Sequence, residues 1–93
     1  MFKQIVEIEP HESETVERLF YEYNAGKENI AFLMRDKQVN YDILQEYINV
    51  VEARYVELEM MKIGIGEKYK PLPDKDFDFE FDFRNHSIIY TEA

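Results

Sequence analysis

Apolar and polar residues first alternate near the start of the chain. Phe2, Val6 and Ile8 share one face with Gln4 between them, and Lys3, Ile5, Glu7 and Glu9 share the other, which predicts a strand over residues 2–8 that Pro10 stops. The period then changes. Val16, Leu19, Phe20, Tyr23, Ile30, Leu33 and Met34 recur at steps of three and four, in phase across Asn24-Ala25-Gly26. One helix over 13–36 is expected, beginning at Ser13 or His11 and kinked at Gly26, with Gly26 as a C-cap the alternative. Glu12, Glu14 and Glu17 fall in its first turns, where the helix dipole favours anions. Asn40 is a good N-cap for a second helix over 41–69, whose stripe is Leu44, Tyr47, Ile48, Val51, Tyr55, Leu58, Met61 and Ile65. Gly64 and Gly66 weaken its last turns by about 1 kcal/mol each relative to Ala. Pro71 ends it.

The last twenty residues return to period two. Phe77, Phe79, Phe81 and Phe83 alternate with Asp76, Asp78, Glu80 and Asp82, a pattern no helix can use to bury one face. Asn85-His86 is the expected turn, and Ser87 to Thr91 are rich in strand formers. A β-hairpin over 76–91 is marginal by itself. The N-terminal strand is the natural third strand, and the helical hairpin the natural cover. The expected fold is α+β: an antiparallel hairpin of long helices packed on a small antiparallel sheet of residues 2–8, 76–83 and 87–91, in one domain spanning 1–93.

Composition narrows the class. The 93 residues contain no cysteine, which excludes disulfides and thiolate metal sites. No apolar run approaches the roughly 20 residues that span a bilayer, and residues 1–10 lack the form of a signal peptide, so a cytoplasmic protein without membrane contact is expected. The net charge of −9 divides as −4 over residues 1–24, −1 over 25–73 and −4 over 74–93. Direct nucleic-acid binding requires a basic footprint that is missing here, whereas a basic protein or peptide suits both acidic ends.

Candidate chemistry is sparse. His11 and His86 lie outside the long helices, and no Glu-x-x-His pair exists for a carboxylate-bridged metal site. Ser13, Ser87, Thr15 and Thr91 sit in no nucleophile elbow. Gly64-Ile65-Gly66 lacks the basic residue of a phosphate loop. No catalytic, cofactor-binding or metal-binding residue is assigned, and a non-enzymatic, partner-binding protein is expected. Its candidate contacts are Asp76, Asp78, Glu80 and Asp82, about 6.6–6.8 Å apart along one strand face, with Tyr21 and Phe32, which lie off the main stripe of their helix. Strand addition would use Phe77 to Phe83 or Ile88 to Tyr90. Seven tyrosines exceed what a small core can bury with satisfied hydroxyls. A second reading is an acidic inhibitor, phage-encoded among other sources, that blocks a nucleic-acid enzyme by charge mimicry. Its carboxylate row is roughly fourfold sparser than duplex phosphates. Uncovered apolar surface leaves homodimerisation open.

Leu19-Phe20, Asn24-Ala25, Leu33, Asn40-Tyr41 and Glu67-Lys68-Tyr69 form a scattered pattern over about residues 12–70. It resembles that of the small accessory proteins encoded with radical-SAM peptide maturases, the CXXX repeat peptide modification system proteins. Where that group carries a tryptophan pair, this chain has Met60-Met61. The resemblance implies a non-catalytic helper that binds a maturase or its precursor peptide, and it carries over no catalytic residue.

Overall fold

A computed structural model describes residues 3–36, 38 and 40–93. Its elements run β1 (Lys3–Glu7), α1 (Pro10–Met34), α2 (Tyr41–Lys68), β2 (Phe77–Asp82) and β3 (Ser87–Glu92). The fold is α+β, a helical hairpin on a three-stranded antiparallel sheet. Phe2 of the expected first strand, and Lys37 and Val39 of the interhelical connection, lie outside the described residues.

The first helix starts earlier than its stripe suggests. Glu9 is the N-cap residue, extended at φ −61° and ψ 131°, and its carbonyl accepts from the amides of Glu12 (3.0 Å) and Ser13 (3.2 Å). Pro10 therefore ends the strand and opens the helix. At that position its missing N–H leaves no bond unmade and its fixed φ suits the first turn. Ser13, expected at the start, is buried one turn in. The helix is continuous through Gly26 and ends at Met34, two residues short of expectation. Gly26 serves close packing: a Cβ there would stand 2.6 Å from Val51 Cγ2. Asn40 caps α2 through Oδ1, which accepts from the amide of Asp42 at 2.8 Å. The buried residues Leu44, Val51, Leu58 and Ile65 of α2 are seven apart, the 3.5-residue period of two helices wrapping along one seam.

β3 is the central strand, in the order β1-β3-β2. It pairs Val6 with Ile88 and Gln4 with Tyr90 on one side, Phe81 with Ile88 and Phe79 with Tyr90 on the other. Opposed residues share a face, so these point inward, where Ile8, Ile88 and Tyr90 join Val16, Leu19, Leu58 and Ile65 in the core. Phe77, Phe79, Phe81 and Phe83 are half-buried and close it along β2. Four residues, Phe83 to His86, connect β2 and β3, rather than the expected Asn85-His86 pair. His86 takes a left-handed conformation at φ 47°. The Asp82 carboxylate accepts from Asn85 Nδ2 at 2.8 Å and from its amide at 3.3 Å, and the side-chain bond holds the Asp82 pKa below the usual range.

Two tyrosine hydroxyls tie the layers. Tyr90 donates to the Gly66 carbonyl at 2.6 Å, one of the last carbonyls of α2 that the helix cannot satisfy itself. Burial pushes its pKa up to about 12. Tyr69 donates to Glu12 Oε1 at 2.5 Å and accepts from the Glu9 amide at 3.3 Å, while Lys68 Nζ lies 3.1 Å from Glu12 Oε2. The Tyr69 hydrogen bond, followed by Lys68, lowers the Glu12 pKa.

The molecule measures 52 × 23 × 20 Å with a Cα radius of gyration of 16.8 Å, against about 12 Å for a compact chain of this length. The cause is a mismatch of lengths. A 28-residue helix spans about 42 Å, and a six-residue strand about 20 Å. The interhelical ends therefore project beyond the sheet as an arm, roughly residues 24–34 and 41–54.

Candidate partner-binding site

The strand order leaves two open edges, β1 and β2. Ile88 to Tyr90, one of two segments expected to accept an added strand, belong to the central strand and have neighbours on both sides. That route is closed because β3 is already paired twice. Phe77 to Phe83, the other segment, lie on β2 or just beyond it and have an open side.

The ladder phase shows which groups meet solvent there. The Ala93 amide donates to the Asp76 carbonyl at 3.3 Å. Hydrogen-bonded pairs recur every second residue in an antiparallel ladder, so Asp78, Glu80 and Asp82 turn their backbone groups toward β3. Phe79 and Phe81 turn theirs outward to the edge.

The two flanks of this edge differ chemically. On the sheet face away from the helices, cross-strand rows set Lys3, Thr91 and Asp78 abreast, then Ile5, Ile89 and Glu80, then Glu7, Ser87 and Asp82. Asp76, Asp78 and Glu80 are exposed and Asp82 half-buried. Ile5 is 64% exposed and sits two strands from Glu80, with Ile89 between. No helix covers this face. On the helix side, a largely apolar cavity of about 280 Å³ opens beside β2 between Val16, Phe20, Leu58, Phe79, Phe81 and Phe83, with Lys62 and Glu80 also in its lining. A hollow of about 70 Å³ follows it between Gly66, Lys70, Phe77 and Tyr90. The rings are well packed among themselves, Phe79 to Phe81 at 6.1 Å and Phe81 to Phe83 at 6.1 Å, yet remain partly open on the edge side.

Of the residues singled out from sequence, Asp76, Asp78, Glu80 and Asp82 do form one row. Tyr21, 65% exposed, meets Phe20 edge-on at 6.0 Å, and Phe20 rests 6.1 Å from Phe83, so Tyr21 stands one ring beyond the cavity wall. Phe32, 72% exposed, shares the α1 face of Tyr21 but lies on the arm beside Asn29, Leu33 and Tyr47. Eleven residues of helix separate the two, about 16 Å, so Phe32 belongs to a different surface. Phe20 is the site residue the sequence reading passed over, whereas Phe79 and Phe81 fall within the Phe77 to Phe83 segment expected to accept a strand. The alternation of β2 placed the two phenylalanines in the core, and only strand order shows that they border an open edge.

Among the described residues, no three acidic or histidine side chains converge as metal ligands would, and no helix is long and apolar enough to cross a membrane. No family model, curated protein or solved structure matches the chain.

Proposed function

We propose that this protein is a non-enzymatic accessory that captures an extended segment of another protein or of a precursor peptide by adding it as a fourth strand beside β2. The observation that carries this reading is the two-sided chemistry of one open edge. A strand laid along β2 finds the outward backbone groups of Phe79 and Phe81, a largely apolar cavity with Lys62 in its wall on one flank, and a carboxylate row on the other. Side chains of an added strand alternate between those flanks. The fitting segment therefore alternates apolar residues with Lys or Arg. Each opposite-charge pair across the strands contributes roughly 0.2–1 kcal/mol, so sequence is selected by the sum of several weak pairs and by the fit of the apolar residues.

A peptide-binding helper of this kind also agrees with the resemblance to accessory proteins of peptide-modification systems. The same carboxylates serve the charge-mimicry reading, but an open, apolar-lined edge beside them has no part in imitating a phosphate backbone. The test is titration of ¹⁵N-labelled protein with an eight-residue peptide alternating Leu and Lys. Slowed amide exchange at Phe79 and Phe81, weakened but retained both at 0.5 M salt and in Asp78→Asn/Glu80→Gln, is the expected result. Binding that leaves those two amides exchanging as in the free protein rules out strand addition. A nucleic-acid enzyme captured from lysate by the tagged protein and released at 0.5 M salt would instead favour mimicry.

A further inference from the structure

The arm presents a second surface, unrelated to β2. Along one side of α2, Ile43, Tyr47 and Val50 recur at steps of four and three and are each about half exposed. Facing them on α1 are Ala25, Asn29 and Phe32. Between the two rows runs a groove with openings of about 320 and 240 Å³, with Gly26 and Val51 in close contact along its floor. The Arg54–Glu22 ion pair closes its sheet-side end. This apolar stripe is additional to the seam of Leu44 and Val51 that holds the hairpin together.

We propose that the occupant is a second copy of this chain, docked arm against arm about a two-fold axis to form an antiparallel four-helix bundle. Charge is the first argument. Residues 22–54 carry four basic and six acidic groups, only −2 of the chain's −9. Two copies meeting at their sheets would set the remaining charge against itself, whereas arms crossed antiparallel hold the acidic sheets at opposite ends of the assembly. Shape is the second. The α2 side of the groove carries the larger Tyr47 and Val50, and the α1 side the small residues Ala25 and Gly26, which leave room between them. A surface that carries both large and small residues can meet its own copy, as a two-fold contact demands. Area is the third. From their fractional exposures, Ile43, Tyr47, Val50 and Phe32 present roughly 400 Å² of apolar side chain. A standard-size protein interface covers roughly 800 Å² per copy, and homodimer patches are about two-thirds apolar; Ala25 and Leu33 add to the same side.

Sedimentation velocity on the full chain across 1–500 µM tests this. The wild type is expected to pass from monomer to dimer in that range. Val50→Glu should raise the dissociation constant at least 100-fold, and Val56→Glu, an equally exposed valine on another side of α2, should leave it unchanged. Because a charged variant can disturb folding, crosslinking supplies a second measure. In this cysteine-free chain, Ala25→Cys mixed with Val50→Cys should give a mixed disulfide dimer on mild oxidation, and Ala25→Cys mixed with Val56→Cys should not. A wild type that stays monomeric at 500 µM, a dimer sensitive to Val56→Glu but not to Val50→Glu, or equal crosslinking at positions 50 and 56 would each overturn the proposal. None of these outcomes bears on peptide capture at β2.

Discussion

Glycine and tyrosine positions show how far one residue's meaning depends on its neighbours in space. Gly64 has open space where a Cβ would go, and Gly66 has the Phe79 ring at 2.5–2.8 Å. From sequence the two are alike, since each costs a helix about 1 kcal/mol relative to Ala. In the fold they have opposite signs. Gly64→Ala should stabilise by about 0.5–1 kcal/mol, and Gly66→Ala should destabilise by about 1–3 kcal/mol, because the Phe79 ring that rests on Gly66 must shift. Urea midpoints of the two variants would check both. Tyr90→Phe keeps the ring contacts with Phe77 (5.8 Å) and Phe79 (5.9 Å) but leaves the Gly66 carbonyl without its donor. The expected loss is about 1–3 kcal/mol, read in the same melts. A loss below a few tenths would mean that water replaces the hydroxyl.

At the scale of elements, local pattern was a good guide to type and a poor one to ends and neighbours. The period-two phenylalanines and the in-phase stripe across Gly26 identified β2 and a continuous α1, because burial of one face is itself a periodic constraint. Pro10 was legible only as a strand stop, although proline also favours the first turn of a helix; the chain uses both properties at one residue. Strand order was not legible, since hydrophobic alternation says which face is buried and nothing about which strand lies beside which. That is why the acidic row was found from sequence, while Phe77 to Phe83 and Ile88 to Tyr90 stayed open as alternatives for the exposed edge. The clasp at the base of the helical hairpin was missed for a similar reason: Glu12 and Tyr69 are far apart in the chain. It makes a pH prediction. The Glu12 carboxyl is held below its ordinary 4.5 by Tyr69 first and by Lys68. A depressed carboxylate adds stability that is present above its unfolded pKa and is lost as pH falls through the folded one. The wild type should therefore lose stability below about pH 4.5, and Tyr69→Phe should lose less over that interval, while being less stable at pH 7. Thermal melts from pH 7 to pH 3 would measure the two slopes, and parallel slopes would remove Glu12 from the account.

Over the whole molecule, charge and shape are unevenly divided. Acidic residues gather at the sheet end, where Glu7, Asp76, Asp78, Glu80 and Asp82 share one uncovered face. Like charges held within about a Debye length repel, and roughly 0.5 M salt shortens that length to a few ångströms. The melting temperature should rise by a few degrees between 20 and 500 mM NaCl, the shift expected for about 1 kcal/mol in a domain of this size. An unchanged or falling value would show that the ion pairs Lys68–Glu12 and Arg54–Glu22 outweigh the repulsion. The exposed apolar arm and the acidic sheet also divide the labour proposed above, self-association at one end and capture at the other.

The central position of β3 has a consequence during synthesis. β3 follows every other element in the chain, and both outer strands bond to it alone. As the polypeptide leaves the ribosome, α1 and α2 can fold against each other through contacts between chain neighbours, which form early. β1 must wait, its partner some eighty residues behind, and β2 waits as well, its three phenylalanines and the adjoining Phe83 uncovered. Until Ser87 to Glu92 emerge, the nascent chain carries unpaired strands whose apolar side invites any passing segment, and that aggregation hazard ends with the arrival of one short strand.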